Sequence, residues 1–403
     1  MNRLILNLSK QNALMNPEAA KAVQSALGMG IGGIEIVRSD AEESHLLTLL
    51  SSSPSPPSPL PIYLKIGYTS TGSNMLHSPE FISHEINTSP IVKSGREVIP
   101  VIHNLEEGKR DRDLKEFEEV VKICVGSFDE ITKKTKNTPS YGLSSNGLGL
   151  SISHPLHLSL ETFLNHSTSS FTHLFFPYNP IETTSISQIP KDKSFKTIAF
   201  RPLTGYPDGG VGEGVGLRFL DYDIRGGMTM DMKGVGEEYN SALKLALGHF
   251  DAEYLTIESG ERTLTPEERE TLDGCKLLRS LILSEDRSLD SIRSFQSYEK
   301  NLTQNIIPLI HENFEELDEE STEVLAGFFM EHANAVRWYS ARETRRLMRV
   351  GGDDGMQREH YVEENESLQS YAVRFCLEEV DCVSVGVTRG TYLKEFEEIF
   401  KKV

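Results

Sequence analysis

VIPVIHNLEEGKRDRDLKEFEEVVKICVGSFDEITKKTKNTPSYGLSSN, residues 98–146, holds the pattern on which the fold turns. A β-branched run (98–103) leads to an amphipathic helix (113–134) and then to a second short strand (140–144), the unit from which parallel sheets and α/β barrels are built. The same alternation continues on both sides. Strands are expected at 4–8, 33–37, 62–65, 98–103, 140–144, 174–178, 197–200 and 383–387, with helices at 17–27, 41–50, 113–134, 155–165 and 366–377. Eight strands in this alternation predict a (β/α)8 TIM barrel, whose chemistry sits at the C-terminal ends of the strands. The segment SSSPSPPSPLP (51–61) reads as an extended spacer between elements, in preference to a ligand for a proline-binding domain.

Charge marks a second region. Residues 208–365 carry 33 acidic and 17 basic side chains, most of the chain's net charge of -19. Thr265-Pro266-Glu267-Glu268 is a capping box with proline at the first helical position, so a helix is expected over 266–283. Asp318-Glu319-Glu320-Ser321 opens a second helix of about 28 residues that closes on Arg342, Arg345, Arg346 and Arg349 before Gly351-Gly352, with acids at the positive end of the dipole and bases at the negative end. The expected organisation is a barrel formed by residues 1–207 and 366–403, with an acidic, mainly helical insertion (208–365) between strands 7 and 8. Glycine-rich segments 205–216 and 351–365 read as its linkers.

An acid excess of this size argues against nucleic acid and anionic membranes as partners, because tracking phosphates needs a basic face. No apolar run has the length of a membrane helix and MNRLILNLSK lacks the features of a signal peptide, so a cytoplasmic location is expected. Cys124, Cys275, Cys376 and Cys382 show no metal-binding spacing and read as reduced structural thiols. The acidic run 311–320 has no histidine pair one turn apart and reads as a solvated helix start; no metal site is expected.

Seven blocks, taken in order, resemble the aldo-keto reductase superfamily. They are AAKAVQSALGMGIGGIEIV, IYLKIGY, IPVIHN, YGLSSN, FFPYNP, IAFRPLTG and LQSYAVRFCLEEVDCVSVGVTRGTYLKE, which cover the chain outside the insertion. The resemblance implies NADPH-dependent reduction of an aldehyde or ketone. In that chemistry hydride passes from nicotinamide to the carbonyl carbon while a tyrosine, assisted by lysine, histidine and aspartate, supplies the proton. Carried over by position, the lysine is Lys65, the histidine His103 and the aspartate Glu35, while the tyrosine falls on Asp40. An ionised carboxylate at an open barrel mouth cannot donate a proton. Tyr63 and Tyr68 flank Lys65 as substitutes, although filling the barrel or covering its rim is the commoner role for such rings.

On the cofactor side the resemblance matches Ser144, puts Ser145 in place of an asparagine with Asn146 one position later, and replaces the stacking tyrosine by Phe200, with Arg201 after it. Gly386 and Glu395 agree with the family. Tyr392 takes the position of the arginine expected to grip the 2′-phosphate, and Arg389, three residues earlier, is its substitute. The glycine run 209–216 lacks the GxGxxG spacing and reads as a linker. His332 and Trp338 read as packing residues of the inserted helix.

Two functions of different class follow. One is an NADP(H)-linked carbonyl oxidoreductase with an altered proton donor, acting on a small carbonyl substrate. The other is a catalytically silent barrel that serves as an interaction or regulatory subunit through a protein partner at its acidic helices.

Overall fold

The computed structural model describes residues 2–8, 17–52, 60–67, 78–110, 112–206, 217–218, 232–258, 264–289, 295–314, 317–350, 367–386 and 397. Two compact units emerge, Met1–Gly214 with Arg358–Val403, and Val215–Gln357.

The first unit is a closed barrel of eight parallel strands. They are β1 (Leu4–Asn7), β2 (Gly33–Val37), β3 (Ile62–Ile66), β4 (Val98–His103), β5 (Tyr141–Ser144), β6 (Phe171–Pro177), β7 (Lys196–Phe200) and β8 (Cys382–Gly386). Each pairs with its neighbour in sequence, and β8 closes the ring against β1 through Leu4↔Val383 and Asn7↔Gly386. The expected (β/α)8 architecture is therefore present, with the inserted helices between its seventh and eighth strands. Helices α1 (Pro17–Gly28), α2 (Asp40–Ser52), α3 (Pro79–Thr88), α4 (Pro90–Lys93), α5 (Leu114–Lys134), α6 (Leu160–Leu164) and α12 (Leu368–Glu379) belong to this unit; α7–α11 lie in the other.

The strands form where the chain offers residues for both faces of a closed barrel. Outward residues such as Leu6, Ile34, Leu64, Ile102 and Leu143 join the layer beneath the helices, while Ile5, Tyr63, Ile99, Val101, Phe175, Ile198 and Phe200 fill the interior. Helix α5 starts where Asp113 accepts from the backbone N–H of Glu116 and Glu116 accepts from that of Asp113, a reciprocal capping box.

Three features differ from expectation. Helix α3 was not foreseen, although Ser78 caps it and Pro79 opens it. The helix expected at 155–165 is shortened to Leu160–Leu164, because the Ser159 hydroxyl caps a later start. Strand β6 begins at Phe171, three residues before expected, because His173 faces the interior. There it accepts the Tyr63 ring edge-on at 5.2 Å, and its Nδ1 lies 2.7 Å from Thr172 Oγ1.

The second unit holds α7 (Met232–Glu258), α8 (Pro266–Ser288), α9 (Phe295–Asn301), a π-helical turn (Leu302–Ile306), α10 (Ile307–Asn313) and α11 (Glu319–Val350). The expected capping box is formed, with the Thr265 hydroxyl accepting from Glu268 N and the Glu268 carboxylate from Thr265 N. Asp318 caps α11 by accepting from Ser321 N at 2.8 Å, which holds its carboxyl below the ordinary range. Phe250, Ile282, Phe328 and Val336 pack into a core of their own. His332 lies among Tyr239, Tyr298 and Phe328, with Nε2 3.1 Å from Glu285 O, and the ring of Trp338 lies under the Arg342 guanidinium. Helix α7 was not foreseen; Gly234, Gly236 and Gly248 weaken its helical signal. The linkers at 207–216 and 351–365 lie outside the described residues. No described helix is long and apolar enough to cross a membrane.

The barrel floor is tightly filled. A Cβ on Gly33 would stand 2.6 Å from Tyr63 Cε2 and 3.1 Å from Pro61 O. Gly33→Ala is therefore expected to cost about 1–3 kcal/mol in urea denaturation. The cost should shrink in a Gly33→Ala, Tyr63→Leu double variant, because the two sites share one space.

Candidate active site

The C-terminal ends of the strands bring polar side chains together inside a ring of apolar ones. Glu35, at the inner end of β2, is fully buried, and so are Ser144 and Ser145, while Lys65 is only 5 % exposed. The Lys65 ammonium forms an ion pair with Glu35 Oε1. Asn7 Nδ2 donates to the same oxygen at 2.9 Å, and Ser384 Oγ donates to Oε2 at 2.5 Å. Side chains from β1, β3 and β8 thus converge on one carboxylate of β2. An isolated charge at such depth would be expensive, and the convergence offsets the loss of water. Lys65 Nζ also lies 5.4 Å from the centroid of the Phe200 ring.

His103 ends β4, and its Nδ1 is 3.3 Å from Ser144 Oγ. Burial, and then the neighbouring Lys65 ammonium, hold its pKa well below 6.5, so the imidazole is neutral at physiological pH. A Ser144 hydroxyl donating to Nδ1 would leave the ring proton on Nε2.

The loops beyond these strands are fixed by two further carboxylates. Glu106, in the 3-10 turn Leu105–Lys109, is buried and accepts from Ser145 Oγ at 2.6 Å, Asn146 N at 2.8 Å and Gly147 N at 3.1 Å. Burial raises its pKa, against the pull of those donors. Asn104 opens that turn in the left-handed region (φ 55°) and accepts from Asn146 Nδ2 at 3.0 Å. Glu182 accepts from Asn179 Nδ2 at 2.7 Å and from Arg201 Nη2 at 2.9 Å. Arg201 follows β7 directly and also has positive φ, 56°.

The residues expected at the site divide. Glu35, Lys65, His103 and Ser144 stand together, with Phe200 against Lys65. Ser145 is committed to Glu106, and Gly386 ends β8 with its surface exposed. Asp40 does not join them: it is the first residue of α2, its side chain is 77 % exposed, and its salt bridge is to Arg38 Nη1 at 2.6 Å. Tyr63 lies inside the barrel, its ring against His173 and Phe175, and burial raises its pKa. Tyr68, Arg389, Tyr392 and Glu395 lie outside the described residues. Sequence reasoning missed Asn7, Ser384, Glu106 and Glu182; the inward register of Asn7 and Ser384 on short barrel strands is the signal that could have found the first two.

Phe200 on β7 and Ser144 on β5, with β6 between them, are the aromatic face and the hydroxyl this mouth could offer the nicotinamide end of a dinucleotide; both are buried. Phe175, on β6, is wholly buried and has no polar group to offer a cofactor. Among the described residues no cluster of histidine, cysteine, aspartate and glutamate could hold a metal ion. The four cysteines are free, Cys124, Cys275 and Cys376 buried and Cys382 half-buried.

No family model matches the chain, and no curated protein matches it. Solved structures do. The glycerol dehydrogenase AKR11B4 from Gluconobacter oxydans aligns at 12 % identity over 99 % of this chain and 86 % of its own, with a TM-score of 0.47. An aldo/keto reductase from Brucella melitensis aligns at 15 % identity over 68 % of this chain and 94 % of its own, with a TM-score of 0.33. At these scores neither likeness bears on activity. The barrel rests on its own strand pairing.

Breaking the buried ion pair from one side leaves a lone carboxylate. Lys65→Met should cost about 3–5 kcal/mol of stability, and Lys65→Met with Glu35→Gln should recover much of it, both read by chemical denaturation. A pH effect comes from His173, whose pKa burial and then Lys196 push down to about 4. The unfolded chain binds this proton below about 6.5 and the folded one does not. Its stability contribution is complete above that pH and falls by about 1.4 kcal/mol per pH unit as the medium is acidified towards 4. His173→Gln should flatten that part of a pH–stability curve.

Proposed function

We propose that this protein is an NADP(H)-linked oxidoreductase that reduces a carbonyl group at the mouth of its barrel. The observation that carries the reading is the buried Glu35–Lys65 ion pair with neutral His103 beside it. A fully buried carboxylate, fed by donors from three other strands, fixes one ammonium at the end of a barrel where chemistry is ordinarily done.

NADPH, when bound, supplies the hydride. The chain's own residues prepare the acceptor. His103 Nε2–H donates to the carbonyl oxygen and draws charge onto it, and Lys65 Nζ stabilises the same oxygen as it becomes negative. Glu35 holds that ammonium in place, and Asn7 and Ser384 hold Glu35. The proton comes from Lys65 Nζ, which solvent then recharges. Phe200 would offer its ring to the nicotinamide, and Ser144 holds the His103 ring. This is an altered donor relative to the tyrosine of the resembled family, because Asp40 points to solvent.

A second reading has its own observation. Among the described residues no tyrosine hydroxyl joins Lys65 and His103, Tyr63 being occupied inside the barrel. A silent barrel, with the acidic helical unit engaging a protein partner, accounts for that loss.

Titration with NADPH and NADP, followed by nicotinamide emission, separates the two. Saturable micromolar binding in the wild type, weakened at least tenfold by Phe200→Ala, is expected for the oxidoreductase; absence of binding at millimolar cofactor leaves the silent barrel. Where binding is found, a screen of aldehydes and ketones should give turnover that falls at least a hundredfold in His103→Gln.

A further inference from the structure

Among the described residues of the barrel, Arg201 is the charged side chain with buried donors left unsatisfied. Its Nη2 donates to Glu182, yet Nε and Nη1 are buried with no hydrogen-bond partner among the described residues. A guanidinium is a fork of donors with no acceptor, and desolvating its N–H groups without an acceptor is costly. Glu182 balances the charge through Nη2 alone, its other oxygen accepting from Asn179 Nδ2, and so leaves Nε and Nη1 without an acceptor. The backbone is held in a conformation that side-chain-bearing residues seldom adopt, φ 56°, and such strain gathers at binding and catalytic positions. The ring of Phe200 lies 5.5 Å from the guanidinium carbon and that of Tyr206 4.9 Å, so two aromatic rings flank the group.

Phe200 also ties this group to the proposed site. Lys65 Nζ and the Arg201 guanidinium both approach its ring, so the two cationic centres lie within about 11 Å of each other. Each has a carboxylate partner, Glu35 and Glu182, but only the guanidinium keeps buried donors with no acceptor among the described residues.

We infer that Arg201 binds the carboxylate of a small oxo-acid whose carbonyl carbon lies at Lys65 and His103, Tyr206 acting as a cover that moves aside to admit the anion. This rests on the carbonyl-reducing reading of the same mouth and narrows its substrate to acyclic oxo-acids of a few carbons. A separation of no more than about 11 Å admits a short chain with a carbonyl at one end and a carboxylate at the other, one carboxylate oxygen accepting from Nη1 or from Nε, which point from opposite edges of the guanidinium. The alternative source of anionic oxygen is the diphosphate of the cofactor.

The test uses the whole chain and two probes that need no turnover, glutarate and inorganic pyrophosphate, each titrated by calorimetry into wild type, Arg201→Met, Arg201→Lys and Tyr206→Ala. Thermal melting checks that each variant is folded. Expected are saturable glutarate binding in the wild type, at least tenfold weaker in Arg201→Met, intermediate in Arg201→Lys, and equal or tighter in Tyr206→Ala. Equal glutarate binding by wild type and folded Arg201→Met overturns the inference, and so does a dependence on Arg201 seen for pyrophosphate alone. If folded Arg201→Met cannot be obtained, Arg201→Lys takes its place, with the same outcomes. A parallel assay compares 5-oxopentanoate with pentanal in the presence of NADPH: kcat/KM for the oxo-acid should exceed that for the plain aldehyde at least tenfold in the wild type and by less than threefold in the Arg201 variant. Arg201-dependent glutarate binding without any NADPH-linked turnover would leave the anion site standing and remove the oxidoreductase reading, so the two failures are distinct.

Discussion

The carboxylate of Glu35 is the constraint around which the barrel mouth is arranged. Charge at full burial is tolerated only where it is paired and hydrogen-bonded, and Glu35 meets this by drawing Asn7, Lys65 and Ser384 onto its two oxygens. Those donors come from β1, β3 and β8, so one side chain joins the first and last strands of the barrel to the second and third. The ammonium it fixes adds to burial, the larger cause, in keeping His103 neutral, and lies against the Phe200 ring. Lose the carboxylate, and the lysine, the seam between β1 and β8 and the electrostatics of the mouth change together.

A second tier of carboxylates does for the loops what Glu35 does for the strands. Glu106 collects one hydroxyl and two backbone N–H groups from the turn after β5, and Glu182 collects an amide and a guanidinium from the turns after β6 and β7. Both have raised pKa values because burial outweighs the donors. The two described non-glycine residues with positive φ are Asn104, which opens the turn after β4 that carries Glu106, and Arg201, in the turn after β7. Local strain and buried acid coincide at the functional end of the barrel, as expected where a scaffold holds its loops against their intrinsic preference.

The barrel was legible because its strands alternate with helices at regular spacing, and that alternation does not depend on fine detail. Strand ends were less so: Thr172 and His173 look like loop residues until the barrel interior gives the imidazole an aromatic neighbour. The helical unit was read from its caps at Thr265 and Asp318, whose chemistry is local, while α7 escaped because its glycines dilute the signal and packing against α8 and α11 supplies the rest. At the site, Lys65, His103 and Glu35 could be placed by position alone. Asn7 and Ser384 could not, since a carboxylate's partners are chosen by the inward register of strands that meet only when the ring closes. Asp40 shows the converse, a residue aligned by position whose side chain is claimed by the nearer Arg38.

The closure of the barrel carries a consequence for how the chain is made. β7 and β8 are neighbours in space, yet the entire helical unit is synthesised between them, and β1 meets its partner only through pairs such as Leu4↔Val383. At a synthesis rate of roughly 5–20 residues per second, the first seven strands wait on the order of ten seconds or more on the ribosome with two open edges. Arg3 shares this delay, since its guanidinium binds the carbonyls of Leu377, Val380 and Asp381, the last stretch before β8. The nascent barrel is an incomplete sheet for much of its birth, and its exposed edges make chaperone engagement during translation, as much as equilibrium stability, a determinant of how much active protein a cell obtains.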